Sequence, residues 1–313
     1  RKVPARGRIT LSSAPGTAGT SDRTSGAEAE VAAFFGTAEA ADVTVSGQEV
    51  SYAGPDEWSY RRFILHYARL CAAAGGVEAF CIGSEMRSLT QIRGAGDSFP
   101  AVQALRDLAV EVRLILGPTT RIGYAADWSE YFGYQADGNL YFHLDPLWAD
   151  PEIDFVGIDN YMPLSDWRDG EDHADATWGS IYNPAYLQSN VAGGEGFDWY
   201  YDSPEGALAQ RRLPITDGAH DEPWVYRYKD LRSWWSNLHH ERVGSTRSAS
   251  PTAWVPGSKP IWFTEYGCPA IDKGPNQPNR FVDAKSSESG VPLWSNGRRD
   301  DLIQMQYLLA VNA

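Results

Sequence analysis

The stretch FCIGSE, residues 80–85, decides the fold class because it is a short apolar run that ends abruptly in polar side chains. Two later stretches have the same form: DFVGIDNY at 154–161 and PIWFTEY at 260–266. Apolar runs without alternation are typical of parallel strands buried on both faces of a sheet. The three stretches therefore predict parallel strands whose last residues can carry chemistry.

Helical segments separate these predicted strands. Apolar residues recur at three- and four-residue spacing over 55–74 and from about 100 to 116, and Gly75-Gly76 and Gly117-Pro118 end the two runs. Further helices are predicted at 27–35, 228–240 and 300–311, and a hairpin around Ser46-Gly47. Strands are predicted at 8–11, 79–83, 121–126, 155–159 and 260–264. This alternation indicates an α/β fold with a parallel sheet.

Composition excludes several classes of partner. The 41 acidic and 27 basic side chains give a net charge of −14, which repels nucleic acid and anionic lipid surfaces. No run approaches the roughly 20 apolar residues of a membrane span, so membrane insertion is not expected, and no signal peptide is visible. The cysteines Cys71, Cys81 and Cys268 have no metal-type spacing and are predicted to be small core residues. The 12 Trp and 16 Tyr suit stacking on sugar rings.

Glu85 and Glu265 are the candidate catalytic residues. In a β/α barrel the carboxyl ends of the strands face the active site, so these two glutamates are expected to converge on one pocket. Either one alone could instead pair with an arginine at the barrel rim. Together they are the two groups that cleavage of a glycosidic bond requires. One carboxyl protonates the leaving oxygen, and the other either attacks the sugar or activates a water molecule.

The motifs resemble two groups of proteins. CIGSEM and IWFTEYGCP resemble the corresponding motifs of barrel mannanases among the retaining glycosidases. YRRFILHYARLCAAAGG, FCIGSEMRSLTQIRG, YAADWSEYFGY, FHLDPLWADPEIDFVGIDNYMPLSDWRDG and KPIWFTEYGCPAIDKGPNQPN are similar to the TIM-barrel-like domain of tail proteins in gene transfer agents and related phages. Those proteins lie at the tail tip and contact the host envelope.

The glycosidase resemblance implies roles for single residues. Glu85 would be the acid/base at the end of strand four, and Glu265 the nucleophile at the end of strand seven. Tyr161 would lie near Glu265 and hold it by a phenol hydrogen bond, although ordinary rim packing also explains a tyrosine there. Ser84 stands where many of these glycosidases have an asparagine that binds the sugar 2-hydroxyl, which weakens the transfer of substrate preference. Candidate substrate contacts are Tyr161, Trp128, Asp127, Asn160, Ser84 and Tyr266, and Asp159 is expected to be structural.

The resemblance also implies a (β/α)8 TIM-barrel-like fold. On that strand count, residues 1–313 form one glycoside-hydrolase-like barrel domain that lacks the first strands and the last strand, with a long insertion at about 162–256. The helix predicted at 228–240 carries His239 and His240, but adjacent residues on a helix point about 100° apart and do not form a metal site. No metal and no cofactor is expected.

The leading hypothesis is a retaining glycoside hydrolase that acts on an envelope or cell-surface polysaccharide or its oligosaccharides. The alternative is a non-catalytic carbohydrate-binding or structural barrel of a phage-like tail tip. Either one would have a carbohydrate ligand and other tail-tip or baseplate proteins as partners. Each would belong to a particle made in the bacterial cytoplasm that acts at the cell envelope.

Overall fold

The computed structural model describes residues 8–47, 49–244, 246–287 and 289–313. These residues form two compact units. The larger unit comprises residues 8–158 and 238–262, and the smaller unit comprises residues 159–237 and 263–313. The chain thus passes from the larger unit to the smaller one after Ile158 and again after Trp262.

The described residues form nine α-helices and twelve β-strands. In order they are α1 (Ser25–Phe35), β1 (Val43–Ser46), β2 (Glu49–Tyr52), α2 (Tyr60–Ala73), β3 (Ala79–Ser84), α3 (Arg87–Thr90), α4 (Pro100–Leu116), β4 (Arg121–Asp127), β5 (Tyr134–Ala136), β6 (Asn139–Tyr141), α5 (Asp145–Trp148), β7 (Phe155–Asn160), α6 (Pro184–Ser189), β8 (Trp199–Tyr200), α7 (Pro204–Leu208), β9 (Leu213–Pro214), α8 (Leu231–Ser236), β10 (Arg242–Val243), β11 (Thr246–Arg247), β12 (Ile261–Tyr266) and α9 (Asp301–Val311). Short 3₁₀ turns lie at Ala40–Asp42, Ala95–Asp97, Ala176–Trp178, Pro223–Tyr226 and Gly274–Asn276.

The main sheet has the strand order β12-β7-β4-β3. β3 and β4 are parallel, with Ala79 opposite Arg121. The N–H of Asp154 donates to the carbonyl of Ile122, and the N–H of Val156 donates to the carbonyl of Pro260, so the four strands begin at one edge of the sheet. This confirms the predicted α/β class with a parallel sheet. Within the described residues the sheet is open and no barrel is closed.

Burial differs between the central and the outer strands of this sheet. All six residues of β7 are buried, and so are all residues of β4 after Arg121. β3 and β12 are partly exposed instead. The prediction that each of the two candidate glutamates lies at the C-terminal end of a buried strand is therefore wrong about the burial of both strands, because β3 and β12 occupy the edges of the described sheet.

The long helix α4 anchors the core of the larger unit. Its buried residues recur at three- and four-residue spacing: Ala101, Val102, Leu105, Leu108, Ala109, Val112 and Ile115. Pro100 fits the first turn, where no backbone N–H is needed, and Gly117 ends the helix with a φ of 77°, which favours glycine. α4 packs against α1 and α2 and also contacts β3 of the main sheet, as expected for an amphipathic helix that covers a sheet.

Three predicted elements differ from the structure. Residues 8–11 form bends and no strand, and no described strand pairs with them. α2 begins at Tyr60, because the hydroxyl of Ser59 caps it by accepting from the N–H of Arg62. α8 spans only Leu231–Ser236, so His239 and His240 lie after it.

The smaller unit has its own apolar core. α6 and α9 supply most of it, and its buried members are Leu164, Ile181, Tyr186, Leu187, Cys268, Ile303, Tyr307 and Ala310. The phenol of Tyr307 donates to the carbonyl of Met162 at 3.0 Å. Cys268 is buried as predicted, whereas Cys81 is exposed on the edge strand β3. No helix among the described residues has the length and apolar character needed to cross a membrane.

Candidate functional site

Glu265 lies near the end of β12 in the smaller unit and is exposed. The phenol of Tyr161, which follows β7 directly, donates a hydrogen bond to its Oε2 at 2.8 Å. Among the described residues, no arginine or lysine forms an ion pair with Glu265. The predicted phenol contact is therefore present, and a rim pair with arginine does not explain this glutamate.

The neighbouring candidates in the smaller unit make local contacts. Asp159 is fully buried and accepts from the hydroxyl of Thr264 at 2.6 Å, which agrees with the structural role expected for it. Oδ1 of Asn160 accepts from the N–H of Met162 at 3.2 Å. The hydroxyl of Tyr266 lies 3.4 Å from Nδ2 of Asn312. Of the smaller-unit candidates, the structure thus brings Tyr161 to Glu265.

Glu85 follows β3 in the larger unit and has a φ of 49°. The pairing of β3 with β4 shifts between Cys81 and Ser84, so β3 contains one extra residue just before this turn. Bulges of this kind redirect side chains and are frequent beside functional sites. The N–H of Glu85 donates to the carbonyl of Ala125 at 2.8 Å, which keeps the turn on β4.

A chain of buried hydrogen bonds supports the Glu85 turn. The N–H of Met86 donates to the hydroxyl of Tyr124 at 2.9 Å, and that hydroxyl donates to Oε1 of Glu130 at 3.0 Å. The hydroxyl of Thr90 donates to the same oxygen at 2.5 Å. Gly83 permits this packing, since a Cβ there would meet Met86 Cε at 2.5 Å and the Tyr124 ring at 3.1 Å. The backbone beside Glu85 is thus fixed by β4 and by the turn that follows it.

Glu130 is fully buried, and burial raises its pKa to about 7. The hydroxyls of Thr90 and Tyr124 oppose that shift, because they stabilise the carboxylate form. Burial lowers the pKa of His143, whose Nε2 lies 3.5 Å from the Thr90 hydroxyl, to about 3. At neutral pH this imidazole is uncharged, and burial favours the protonated form of Glu130.

Asp127 and Trp128 lie at the end of β4. Asp127 is buried, and its Oδ1 accepts from the N–H of Ser129 at 2.8 Å and from the Ser129 hydroxyl. That contact pattern is an Asx turn, which explains an aspartate there without a ligand. Trp128 is half-buried and Ser84 is exposed. Glu130 itself was not predicted, although DWSE places it three residues after Asp127, at the spacing of one turn.

A second polar cluster, also not predicted, lies in the smaller unit around Arg212. Its guanidinium makes two hydrogen bonds to Asp175, at 2.9 and 2.7 Å, and one to Asp166 at 2.9 Å. The phenol of Tyr201 donates to Asp166 at 2.6 Å, and the guanidinium lies 4.3 Å from the Trp199 ring centroid. The cluster ties residues of the long segment 162–256 to one another, and this many mutual contacts indicate a structural role.

Comparison with known protein families agrees with the fold. A model of the GTA TIM-barrel-like domain family matches residues 58–313. The chain belongs to this family. No curated protein matches the chain. The GTA TIM-barrel-like domain therefore accounts for the α/β architecture and includes Glu85, Tyr161 and Glu265 within the matched residues.

Within the GTA TIM-barrel-like domain, the two candidate catalytic glutamates belong to different units. Glu265 belongs to the smaller unit, and Glu85 to the larger one. Their expected carboxyl separation of about 5–5.5 Å, the distance typical of retaining enzymes, stays a prediction. What the geometry provides is a carboxylate oriented by a neutral phenol and a second carboxyl on a rigid turn.

Proposed function

We propose that the chain is a retaining glycoside hydrolase that acts on an envelope or cell-surface polysaccharide or its oligosaccharides. The observation that carries the proposal is the 2.8 Å hydrogen bond from Tyr161 to Oε2 of Glu265. It joins Tyr161, which follows β7, to a residue near the end of the neighbouring strand β12. In α/β folds, such strand ends are where catalytic groups are found.

The surroundings of Glu265 suit a carboxylate that acts as a nucleophile. A phenol is a neutral donor at neutral pH, so it orients the Glu265 carboxylate without cancelling its charge as an arginine would. Glu265 is also exposed, and a substrate can reach it. The proposed reaction begins with attack of this carboxylate on the anomeric carbon, which forms a glycosyl ester and releases the aglycone oxygen.

Glu85 is the proposed acid/base. It would donate its proton to the departing oxygen and later remove a proton from the water that hydrolyses the ester, which returns Glu265 as a carboxylate. This assignment rests on the sequence motif. The bulged end of β3 and the Tyr124–Glu130 network support it, because a proton donor needs a fixed backbone.

The alternative function is a non-catalytic carbohydrate-binding or structural barrel in a phage-like tail tip. The observation that favours it is Ser84, whose short hydroxyl stands where the glycosidase pattern has an asparagine. Under either function we propose the same setting, a particle assembled in the bacterial cytoplasm that meets the cell envelope with other tail-tip proteins.

The test is a screen of aryl glycosides and cell-wall polysaccharides with four proteins: the unmodified chain, Glu265→Gln, Glu85→Gln and the control Glu205→Gln. Glu205 is an exposed glutamate on α7 in the smaller unit. We expect hydrolysis by the unmodified chain and the control, and a fall of at least about 1,000-fold for Glu265→Gln. Glu85→Gln should lose most activity on poor leaving groups and less on dinitrophenyl glycosides, which need no proton. Equal turnover by all four proteins contradicts the proposal.

A further inference from the structure

A cavity of about 470 Å³ lies in the larger unit between the β1–β2 hairpin and the beginning of α2. Its walls include Tyr52 from β2, Trp58 just before α2, and Arg62, Phe63, His66 and Tyr67 from the helix. The volume falls within the range of small-molecule sites, about 300–1,000 Å³. None of these residues belongs to the proposed catalytic site.

The aromatic rings at this cavity are unusually exposed. Trp58 is 92% exposed, Phe63 55% and Tyr67 49%. Single exposed aromatic residues are common on protein surfaces, but three at one cavity form a patch that water solvates poorly. Phe63 and Tyr67 pack edge to face at 5.0 Å, so they form one continuous wall.

Arg62 is held between two of the rings before any ligand arrives. Its guanidinium carbon lies 4.0 Å from the Tyr52 ring centroid and 4.1 Å from that of Trp58. Its Nη1 donates to the carbonyl of Glu57 at 2.6 Å. The stack and this bond fix both the ring planes and the direction of the guanidinium, which lowers the entropy cost of binding.

Charge around the cavity disfavours an anionic ligand. Burial raises the pKa of Tyr52, and the nearby carboxylates of Glu57, Asp42 and Asp56 raise it further, while Arg62 lowers it. The Glu57 carboxylate lies at the cavity opposite this single guanidinium, because it accepts a hydrogen bond from the hydroxyl of the lining residue Ser59 at 2.7 Å. A phosphate or a uronic acid would meet repulsion there, as it would from the chain as a whole, whose net charge is −14.

We infer that this cavity binds an uncharged saccharide unit of a glycan, with the face of Trp58 that Arg62 leaves open as the stacking platform, and with the remaining N–H groups of Arg62 and the imidazole of His66 as polar partners for the hydroxyls. Flat rings pack on the C–H face of a sugar while donors at the rim take its hydroxyls, and the cavity offers both. An apolar peptide would leave the guanidinium and imidazole without polar partners. The inference does not rest on the proposed hydrolase activity.

The experiment uses the Glu265→Gln chain, so that no probe is consumed if the chain does hydrolyse glycosides. Maltohexaose, cellohexaose and chitohexaose are titrated against the indole N–H signals in ¹H–¹⁵N NMR spectra, with tri-galacturonate as the acidic probe. We expect at least one neutral hexasaccharide to shift the Trp58 signal with a Kd on the order of 1 mM, and the acidic probe to bind more weakly. Trp58→Ala should weaken binding at least tenfold.

Two further variants separate stacking from loss of fold. Arg62→Lys keeps the charge but not the planar stack, and it should weaken binding several-fold. Phe281→Ala removes a ring that is 51% exposed outside the cavity, and it should leave binding unchanged. The melting temperature of every variant should lie within a few degrees of that of the Glu265→Gln chain. Absence of any Trp58 shift with the neutral probes, unchanged affinity in Trp58→Ala, or preference for the acidic probe overturns the inference.

Discussion

The phenol of Tyr161 donates a hydrogen bond of 2.8 Å to Oε2 of Glu265, across a sequence separation of 104 residues. Tyr161 follows the central strand β7, and Glu265 is the fifth residue of the neighbouring edge strand β12. The sheet therefore fixes the distance between them. This contact orients the carboxylate that we propose as the nucleophile.

Replacing Tyr161 by phenylalanine tests the function of that hydrogen bond. The variant keeps the ring but leaves the Glu265 carboxylate without its donor, so its orientation is no longer held. A hydrogen bond to a charged group contributes about 1.5–3 kcal/mol, less at an exposed site. We expect kcat to fall about 10-fold with little change in KM, measured on the best aryl glycoside of the screen.

Tyr182→Phe is the matched control for this prediction. The Tyr182 phenol also donates to a carboxylate in the smaller unit, that of Asp300, at 2.5 Å. Loss of this hydrogen bond should slightly lower the free energy of unfolding and leave kcat unchanged. If both variants lose the same activity, the Tyr161 contact has no specific role in the reaction.

Glu130 should make the stability of the larger unit depend on pH. Its pKa is about 7 in the folded chain and 4.5 as the ordinary value. Between pH 4.5 and 7 the unfolded chain releases this proton while the folded chain keeps it, so folding loses stability as pH rises. Glu130→Gln does not titrate, so its stability relative to the unmodified chain should increase by up to about 3 kcal/mol across this window.

Urea unfolding at several pH values between 4 and 8 measures this difference. Glu78→Gln serves as the control, because Glu78 is exposed and precedes β3 in the same unit. The control should follow the unmodified chain at every pH. A constant difference between Glu130→Gln and the unmodified chain over the whole range would show that Glu130 does not hold its proton in the fold.

Arg212 should stabilise the smaller unit through its planar geometry. A lysine at this position cannot reproduce the paired hydrogen bonds to Asp175 together with the bond to Asp166, and both carboxylates are largely buried. We expect Arg212→Lys to lose about 2–4 kcal/mol of unfolding free energy. The neighbouring Arg211 is a natural control, since its ion pair with Asp202 is exposed and long at 3.5 Å.

Arg211→Lys should cost less than about 0.5 kcal/mol. Hydrogen exchange followed by mass spectrometry then localises the effect: peptides from 162–215 should exchange faster in Arg212→Lys. Equal stability of the two variants would mean that the Arg212 cluster adds nothing beyond an ordinary surface pair.

The sequence predicted the helices and strands of the sheet well because their signals are local. The capping glycines and the three- and four-residue apolar spacing placed α4 at its observed bounds. The apolar runs placed β4 and β7 within a residue or two. Residues 8–11 failed for the opposite reason, since whether a short apolar run becomes a strand depends on a partner strand that the pattern does not contain.

The candidate site was predicted in part. Glu265 and Tyr161 were predicted as neighbours, on the basis of strand ends and resemblance, and the structure brings them into contact. The Glu130 network and the Arg212 cluster were missed, because a glutamate or an arginine inside a polar segment looks solvated until tertiary contacts bury it. The exposure of β3 and β12 was missed as well, because the sequence of a single strand does not show whether it lies at the centre or at the edge of a sheet.

We propose Glu265 as the nucleophile of a retaining glycosidase, which forms a covalent bond to the sugar. The test is to incubate the chain with dinitrophenyl 2-deoxy-2-fluoro glycosides of those sugars whose aryl glycosides the chain hydrolyses. The intact mass of the chain is then measured, and peptide mapping locates any added sugar. Such glycosides form the glycosyl ester quickly, and water then hydrolyses this ester slowly. We expect one added sugar on the peptide that contains Glu265, and none in Glu265→Gln. An adduct on another residue, or hydrolysis of the aryl glycosides without any adduct, would contradict this proposal.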